Sequence, residues 1–208
     1  MYERMKVSGF TGGMAATNGW LAQAAAGALV VDAPEGMAGW LREQGVSADV
    51  LLLTHQHFDH VQDAARIQRE HGARVFAFAP FSRELTLETL METLTGVKID
   101  VEPFQVDELI EGRSEIKAGG WRWRLAHIPG HSTDSVTFHC AEERLLFGGD
   151  VLFAGSIGRT DFPGGSMDLL VEGIEEKLLT LPDDTRVLPG HGPETTIGAE
   201  RAANPYLN

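Results

Sequence analysis

Cysteine is almost absent from this chain, because Cys140 is the single cysteine among 208 residues. One cysteine excludes an intramolecular disulfide, so no covalent cross-link contributes to the fold. Cys140 ends the strand-like segment 136–140, in which apolar and polar residues alternate. This setting favours a buried small hydrophobic side chain over a catalytic thiol.

Basic residues are also scarce, and they do not cluster. Lysine and arginine together number 17 against 30 acidic residues, which gives a formal net charge of −13. A nucleic-acid backbone is bound by grouped lysines and arginines, which this sequence does not provide. We therefore exclude nucleic acid as a partner and attribute the acidic balance to a solvated surface.

Long hydrophobic runs are missing as well. The apolar segment 20–31 is too short to cross a bilayer. Gly9, Gly12 and Gly13 interrupt the residues before it, which is not typical of a secretory leader. We interpret the segment as two strands joined at Gly27, and we expect a cytoplasmic protein without a membrane partner.

A dense group of histidines is what the sequence does contain. The segment THQHFDH, residues 54–60, directly follows the apolar run 50–53. Imidazole and carboxylate suit zinc, iron or manganese, and three histidines this close leave room for more than one ion. A polar loop that happens to be rich in histidine is the alternative, but it does not explain the ligand types that recur downstream. The segment therefore predicts a metal site.

At three later points a strand-like run ends in a loop that is marked by glycine or proline and carries a ligand-type residue. These residues are His131, Asp150 and His191. Side chains at strand ends of a layered α/β fold can meet on one rim, so we expect them to converge with the first group. The predicted constellation has seven members: His55, His57, Asp59, His60, His131, Asp150 and His191.

Seven ligands suit two metal ions better than one, because a mononuclear catalytic zinc needs three protein ligands and an open position. The first predicted group is His55, His57 and His131, and it holds one ion. The second group is Asp59, His60 and His191, and it holds the other ion. Asp150 is predicted to bridge the two ions. Zinc is the expected metal, and iron or manganese fit the same ligands. Two divalent ions with two aspartates and one hydroxide leave the site positive, which favours an anionic transition state.

The predicted secondary structure places these ligands in two similar halves, each with strands first and helices later. Such an order fits a four-layer αββα sandwich, and we expect one domain over residues 1–208. The predicted helices are 35–44, 61–71, 82–94 and 167–179. The predicted strands are 6–8, 20–23, 28–31, 50–53, 74–79, 121–126, 135–140, 144–147 and 186–188.

The ordered motifs resemble those of the metallo-β-lactamase fold superfamily. They are His-x-His-x-Asp-His at 55–60, Gly-His at 130–131, Gly-Gly-Asp at 148–150 and Gly-His-Gly at 190–192. Within the superfamily the chain resembles short-form glyoxalase II, a hydroxyacylglutathione hydrolase. That resemblance rests on PGHS (129–132), GSIGRTDFPGG (155–165) and GHGPETTIG (190–198), and it implies an αββα fold and hydrolysis of S-lactoylglutathione.

Other branches of the superfamily fit the residues less well. Metallo-β-lactamases generally lack an aspartate at the position of Asp150, and flavodiiron relatives carry glutamate where this chain has His57. The nucleases add a domain that 208 residues do not accommodate. Long-form glyoxalase II adds a C-terminal helical domain that helps to hold glutathione, and we expect this chain to lack it.

The expected reaction is attack of a metal-bridging hydroxide on a thioester. Water bound to two divalent ions loses a proton near neutral pH, whereas free water has a pKa of about 16. Asp59 and Asp150 would orient the hydroxide, and the first ion would polarise the substrate carbonyl. A thiolate leaves readily because its conjugate pKa is about 8.5, and the sequence offers no dedicated general acid.

Other functions remain open on the sequence alone. A mononuclear iron persulfide dioxygenase would need two histidines and one carboxylate, which His55, His131 and Asp150 could provide. A lactonase would use the same hydroxide, and a binding module would keep the fold without turnover. The complete ligand set argues against a binding module, and His191 favours a hydrolase over a dioxygenase.

Two residues near the predicted ligands each allow a functional and a structural interpretation. Arg159 is predicted to bind a glutathione carboxylate, because the guanidinium fork pairs bidentately with carboxylates and the resembled family has a basic residue near this position. A structural ion pair with Asp161 is the alternative. His127 is interpreted as a satisfied core or rim histidine, and a supporting contact to His131 is the alternative.

Overall fold

The computed structural model describes residues 4–25 and 27–207, and its first sheet has six strands. In spatial order these are β1 (Lys6–Gly12), β2 (Thr17–Ala24), β3 (Gly27–Val31), β4 (Val50–Leu52), β5 (Arg74–Ala77) and β6 (Glu108–Leu109). The strands β1 to β3 pair antiparallel, and β3 to β6 pair parallel. The parallel strands all end at the same edge, which is where ligands after β4 are placed.

A second six-stranded sheet packs against the first. From one edge to the other its strands are β14 (Thr195–Thr196), β13 (Arg186–Pro189), β10 (Leu145–Gly149), β9 (Val136–Cys140), β8 (Trp121–His127) and β7 (Glu115–Ala118). The strands β10 and β13 pair parallel, and the others pair antiparallel. A separate hairpin joins β11 (Leu152–Phe153) to β12 (Ser156–Ile157).

Helices cover the outer faces of both sheets. They are α1 (Met37–Glu43), α2 (Phe58–Val61), α3 (Ala64–His71), α4 (Arg83–Thr86), α5 (Glu88–Thr95), α6 (Met167–Lys177) and α7 (Ile197–Ala203). Among the residues that the structure describes, no helix combines the length and apolar character needed to cross a membrane.

Alternation along the strands produces the layers. In β3, Val30 packs toward α1 and α3, whereas Leu29 and Val31 pack between the sheets with Trp123 and Phe138 of the second sheet. A third cluster packs the outer face of the second sheet against α6. Two-sided burial of this kind requires apolar residues at successive positions, as β3 and β4 have. The predicted αββα sandwich is confirmed.

Several predicted elements differ in detail from the structure. The predicted helix 61–71 is two helices, because α2 ends at Val61 and α3 begins at Ala64. The predicted helix 82–94 breaks at Leu87, which has a φ of 55° and separates α4 from α5. The short strands β6, β11, β12 and β14 were not predicted, since two residues carry no periodic signal.

Cys140 lies in the interior between the two sheets, as its sequence context predicts. Its relative exposure is 0% and it belongs to the inter-sheet cluster. Burial raises the pKa of its thiol to about 11, so the reactive thiolate is disfavoured at neutral pH. The interpretation as a buried hydrophobic side chain is confirmed.

Candidate metal centre

The seven predicted ligands converge at one rim of the sandwich, each just beyond a strand or in the first turn of a helix. His55 and His57 follow β4, and Asp59 and His60 lie in α2. The other three follow separate strands of the second sheet: His131 after β8, Asp150 after β10 and His191 after β13. The rim is therefore built from both sheets, because each contributes strands that end there.

Within the described residues, potential ligand atoms form three overlapping groups whose members lie within 4.8 Å of one another. The groups are His55, His57 and His131; Asp59, His60 and His191; and His55, His60 and Asp150. The first two groups match the two predicted ligand sets. Asp150 lies between them, since its Oδ1 is 3.3 Å from His60 Nε2 and its Oδ2 is 3.5 Å from His131 Nε2.

Unpaired atoms inside the cluster show that it fits metal ions. His55 Nε2, His60 Nε2 and Asp150 Oδ1 are buried, and none forms a hydrogen bond of normal geometry in ranges 4–25 and 27–207, although the last two atoms lie 3.3 Å apart. Leaving such atoms without partners costs about 1–3 kcal/mol each, and more for charged groups. The donors are imidazole nitrogens and carboxylate oxygens, which divalent zinc, iron and manganese accept. The cluster could therefore hold a divalent metal ion, and its donor atoms suit all three elements.

Hydrogen bonds orient the imidazoles of the first group. His55 Nδ1 lies 3.1 Å from Thr54 Oγ1, and His131 Nδ1 lies 2.8 Å from the carbonyl oxygen of Arg159. In both rings the other nitrogen, Nε2, points into the cluster. His57 presents its Nδ1 instead, 2.9 Å from His131 Nε2. Fixing the ring in this way sets the tautomer that leaves a lone pair for a metal.

Asp32 supports the second group, although it is not among the residues predicted from the sequence. Its Oδ2 is 2.9 Å from His60 Nδ1, so His60 Nε2 is left for the cluster. The same carboxylate accepts hydrogen bonds from Thr54 N at 2.8 Å and Thr54 Oγ1 at 2.7 Å. Asp32 is 1% exposed and has a φ of 58°. A signal was present, because Asp32 directly follows β3 in the same way that ligands follow the other strands.

The start of β2 holds the second group from another side, which also went unpredicted. Thr17 donates from Oγ1 to Asp59 Oδ2 at 2.6 Å and forms an isolated bridge with His191. Asn18 donates from its backbone nitrogen to Gly190 O at 2.7 Å and from Nδ2 to Pro189 O at 3.1 Å. The first sheet thereby fixes the loop that presents His191.

Gly190 allows the second group to close. A Cβ atom at this position would lie 2.2 Å from Asp150 Oδ1 and 2.6 Å from His60 Cε1. Both distances are far below van der Waals contact, so a larger residue would displace the ligands. The glycine before His191 is therefore required by close approach.

Burial and mutual repulsion keep His55 and His57 neutral. Burial, together with repulsion from the nearby His131, lowers the pKa of His57 to about 3. Burial also lowers the pKa of His55 well below its usual value, with added repulsion from His60 and His57. Neutral imidazole is the form that binds metal, so these two ligands need not lose a proton first.

The second group has the opposite electrostatics. Burial opposes protonation of His191, yet hydrogen bonds to Asp150 and Asp59 raise its pKa to about 9. Burial likewise opposes charge on His60, and the carboxylates of Asp150 and Asp59 outweigh it and raise its pKa well above the usual value. For Asp59, burial is outweighed by His60 and His191, which lower its pKa to about 2. His60 and His191 therefore favour the protonated form, which is stabilised by the carboxylates of Asp59 and Asp150.

A cavity of about 380 Å³ opens over the cluster and is lined mainly by apolar side chains. Its apolar lining includes Phe58, Leu87, Met91, Phe153 and Phe162. Concave apolar sites with a few convergent polar groups are typical of substrate pockets.

Arg159 lines this cavity and is paired with Asp161, the alternative considered for it. Its Nε and Nη2 donate to the two oxygens of Asp161, each at 2.6 Å. The guanidinium also lies 3.9 Å from the centre of the Phe162 ring. Both groups of the ion pair are more than half exposed. Solvent screens an exposed pair of this kind, so a substrate carboxylate could compete for Arg159.

His127 makes no contact with the metal ligands in the described structure. Its Nε2 lies 2.8 Å from the carbonyl oxygen of Thr133, and its ring stacks on Phe78 with centroids 4.0 Å apart. The interpretation as a satisfied rim histidine is confirmed, and the alternative contact to His131 is not formed.

Known proteins resemble this chain in sequence and in fold. The family model described as "Metallo-beta-lactamase superfamily" matches residues 13–191. The hydroxyacylglutathione hydrolase GloC of Haemophilus influenzae is 38% identical over 170 residues, which cover 81% of this chain and 80% of GloC.

Two solved structures extend the comparison. The B3 metallo-beta-lactamase BLEG-1 superposes with a TM-score of 0.86 at 32% identity, covering 97% of this chain and 99% of BLEG-1. TTHA1623 in a di-iron-bound form superposes with a TM-score of 0.83 at 33% identity, covering 96% and 100%. These relatives include two named hydrolases and one protein that binds two iron ions.

Proposed function

The chain belongs to the metallo-beta-lactamase superfamily and is a metallo-hydrolase, and on that premise we propose that it hydrolyses thioesters at a centre of two divalent ions. S-lactoylglutathione is the proposed substrate, and lactate and glutathione are the products. The observation that carries the proposal is the position of Asp150 between two complete ligand groups. The relationship to GloC supports the glutathione thioester.

The chain's own residues would divide the work. When bound, two divalent ions supply a water acidified enough to act as a nucleophile at neutral pH and a positive charge for the developing oxyanion. His55, His57 and His131 would hold one ion, Asp59, His60 and His191 the other, and Asp150 both. Asp59 and Asp150 accept the hydrogen bonds that orient the attacking water, because their lowered pKa values keep them ionised.

The apolar walls over the cluster suit the acyl and thioether part of a thioester. Phe58, Phe153 and Phe162 exclude bulk water from the reacting carbonyl, which strengthens electrostatic stabilisation there. Arg159 would exchange Asp161 for a glutathione carboxylate at the mouth of the pocket. The leaving thiolate needs little proton donation, which agrees with a pocket lined by no further general acid.

A persulfide dioxygenase is the second candidate, because one group has the composition that mononuclear iron oxygenases use. His55, His60 and Asp150 are two histidines and one carboxylate with ligand atoms within 4.8 Å of one another. The triad predicted from the sequence contains His131 in place of His60. The remaining four ligands have no role in a mononuclear site, so the hydrolase is favoured. A lactonase or a β-lactam hydrolase, as BLEG-1 is named, would use the same nucleophile.

A paired assay on metal-analysed protein separates these activities. Thiol release from S-lactoylglutathione is measured on one aliquot and oxygen consumption with glutathione persulfide on another, with zinc, iron or manganese restored separately. Thiol release without oxygen consumption is the expected result. Oxygen consumption with slow thiol release would overturn the proposal. Faster cleavage of a lactone or a β-lactam than of the thioester would overturn the substrate class.

A further inference from the structure

A second and larger cavity lies on the outer face of the second sheet. This outer groove has a volume of about 940 Å³ and is bounded by the 110–114 turn, β8, β9 and the end of α6. The polar residues in its lining that matter here are Arg113, Arg124, His127, Thr137, His139 and Lys177. None of the seven cluster residues lines it, so its purpose is separate from the metal centre.

Strand register places three of these side chains side by side. Arg124 of β8 is directly opposite His139 of β9, and the next pair on the same face is Ala126 opposite Thr137. The intervening pair, Leu125 and Phe138, faces the inter-sheet core instead. Alternation therefore projects Arg124, His139 and Thr137 into the outer groove as one polar floor.

The outer groove concentrates positive charge in an acidic protein. The chain has a net charge of −13, yet the lining contains Arg113, Arg124 and Lys177 against one acid, Glu111. Arg113 pairs with Glu108, whereas Lys177 donates to a neutral acceptor, the carbonyl oxygen of His127, at 2.7 Å. Arg124 has no ion pair with any described residue. Two cations thus lack a carboxylate partner.

A buried hydroxyl on the same floor lacks a partner as well. Thr137 is 1% exposed, and its Oγ1 forms no hydrogen bond with the residues at 4–25 and 27–207. A buried hydroxyl without a partner is unfavourable, so a ligand that accepts a hydrogen bond from it would be stabilised there. His139 beside it is 7% exposed, and burial together with Arg124 lowers its pKa, so it stays neutral.

Apolar side chains also line the outer groove. They include Leu178 and Leu181, which follow α6, and Phe78, whose ring stacks on that of His127. This surface suits a hydrocarbon or aromatic body, and the polar floor suits an anionic head.

We propose that the outer groove binds a small organic anion, with its carboxylate or phosphate against Arg124 and Thr137 and its apolar body against Leu178 and Leu181. The charge of the floor selects the anion, and the size of the cavity leaves room for a body of drug-like dimensions. Because none of the cluster residues takes part, the proposal does not rest on the thioesterase activity.

Binding of octanoate, octyl phosphate and neutral octanamide to the zinc-loaded full chain tests the proposal. The measurements are isothermal titration calorimetry and amide chemical shifts, which locate the site. Both anions should perturb residues 124–127 and 136–139, and octanamide should bind at least about tenfold more weakly, as expected for a lost charge-assisted hydrogen bond. The stronger of the two anions identifies the head group.

Arg124→Met should weaken anion binding about tenfold or more. Arg122→Met is the matched control, since Arg122 is on the same face of β8, pairs with Glu115 and lies outside the outer groove. Equal weakening in both variants, equal affinity for octanamide, or shifts confined to the metal centre would overturn the proposal. So would a concentration-dependent dimer that closes the outer groove and is lost in Arg124→Glu, because a second copy would then be the occupant.

Discussion

The two ligand groups of the metal centre differ in burial and in charge. In the first group all three imidazoles are buried, with exposures of 1% for His55, 6% for His57 and 3% for His131. In the second group the side chain of His191 is 29% exposed, and carboxylates surround both imidazoles. The first group is the more buried one and contains the neutral imidazoles of His55 and His57, whereas the second group contains charged side chains and the more exposed His191.

This difference separates two tasks that a dinuclear hydrolase must perform. Neutral imidazoles whose pKa values lie well below 7 offer lone pairs at once and hold an ion in a fixed place. The acid-rich group must release protons before it binds an ion, since the pKa of His191 is about 9. For the dinuclear centre proposed above, we therefore expect the second ion to be the more exchangeable one and Asp150 to couple the two.

Asp150→Ala should have the largest effect, because it removes a carboxylate that lies between the two groups. We expect thioester turnover to fall by about a hundredfold or more, on the scale of lost electrostatic preorganisation. Steady-state kinetics with S-lactoylglutathione measures the effect, and a thermal unfolding curve shows that the variant folds. Turnover near that of the wild type would contradict the role of Asp150.

His191→Ala should lower metal binding by the second group and leave the first group unchanged. Elemental analysis of metal-replete protein is expected to give two ions per wild-type chain and about one in the variant, since the first group keeps all three ligands. His127→Ala is the control, because this histidine stacks on Phe78 outside the cluster. At most one ion in the replete wild type would refute the two-metal mechanism.

Asp32→Asn should weaken the second group more than the first, because Asp32 contacts His60 directly and His55 only through Thr54. Asparagine tolerates the positive φ of this position, but it removes the carboxylate that holds His60 Nδ1. Loss of such a supporting contact lowers metal affinity by about 10–100-fold. Competition with a chelator measures that affinity.

Asp63→Asn is the control for Asp32→Asn, since Asp63 is also buried and accepts a hydrogen bond from Ala38 N, which lies outside the cluster. If both variants lost metal equally, the effect of Asp32 would be one of general stability.

Arg159→Met should have the smallest effect, because the residue borders the pocket and leaves both ligand groups complete. Its backbone carbonyl still supports His131, so metal content should not change. We expect the KM for the glutathione thioester to rise several-fold, in line with loss of one exposed ionic contact. An equal rise with a small neutral thioacetate would show that Arg159 shapes the loop and does not bind the tripeptide.

Much of the metal centre could be predicted from the sequence, because its ligand-type residues have distinctive chemistry and follow apolar runs. His131 and His191 were placed beside residues 55–60 from that context alone, and the structure brings them together. Asp32 and Thr17 were missed since each is an ordinary polar residue at a strand boundary. Their importance comes from His60 and Asp59, which are 28 and 42 positions away along the chain.

The sequence by itself determined the layered fold and the set of ligand-type residues, because strand and helix periodicity and side-chain chemistry are local properties. Only the tertiary structure decided which imidazoles stay neutral, which carboxylates they pair with and that Arg159 is bound to Asp161. The outer groove belongs to the same class of information. Pairing of β8 with β9 sets Arg124 beside His139, and neither residue carries a signal of that contact in its own neighbourhood. Burial and distance set pKa values and partners, and both arise only when distant segments pack together.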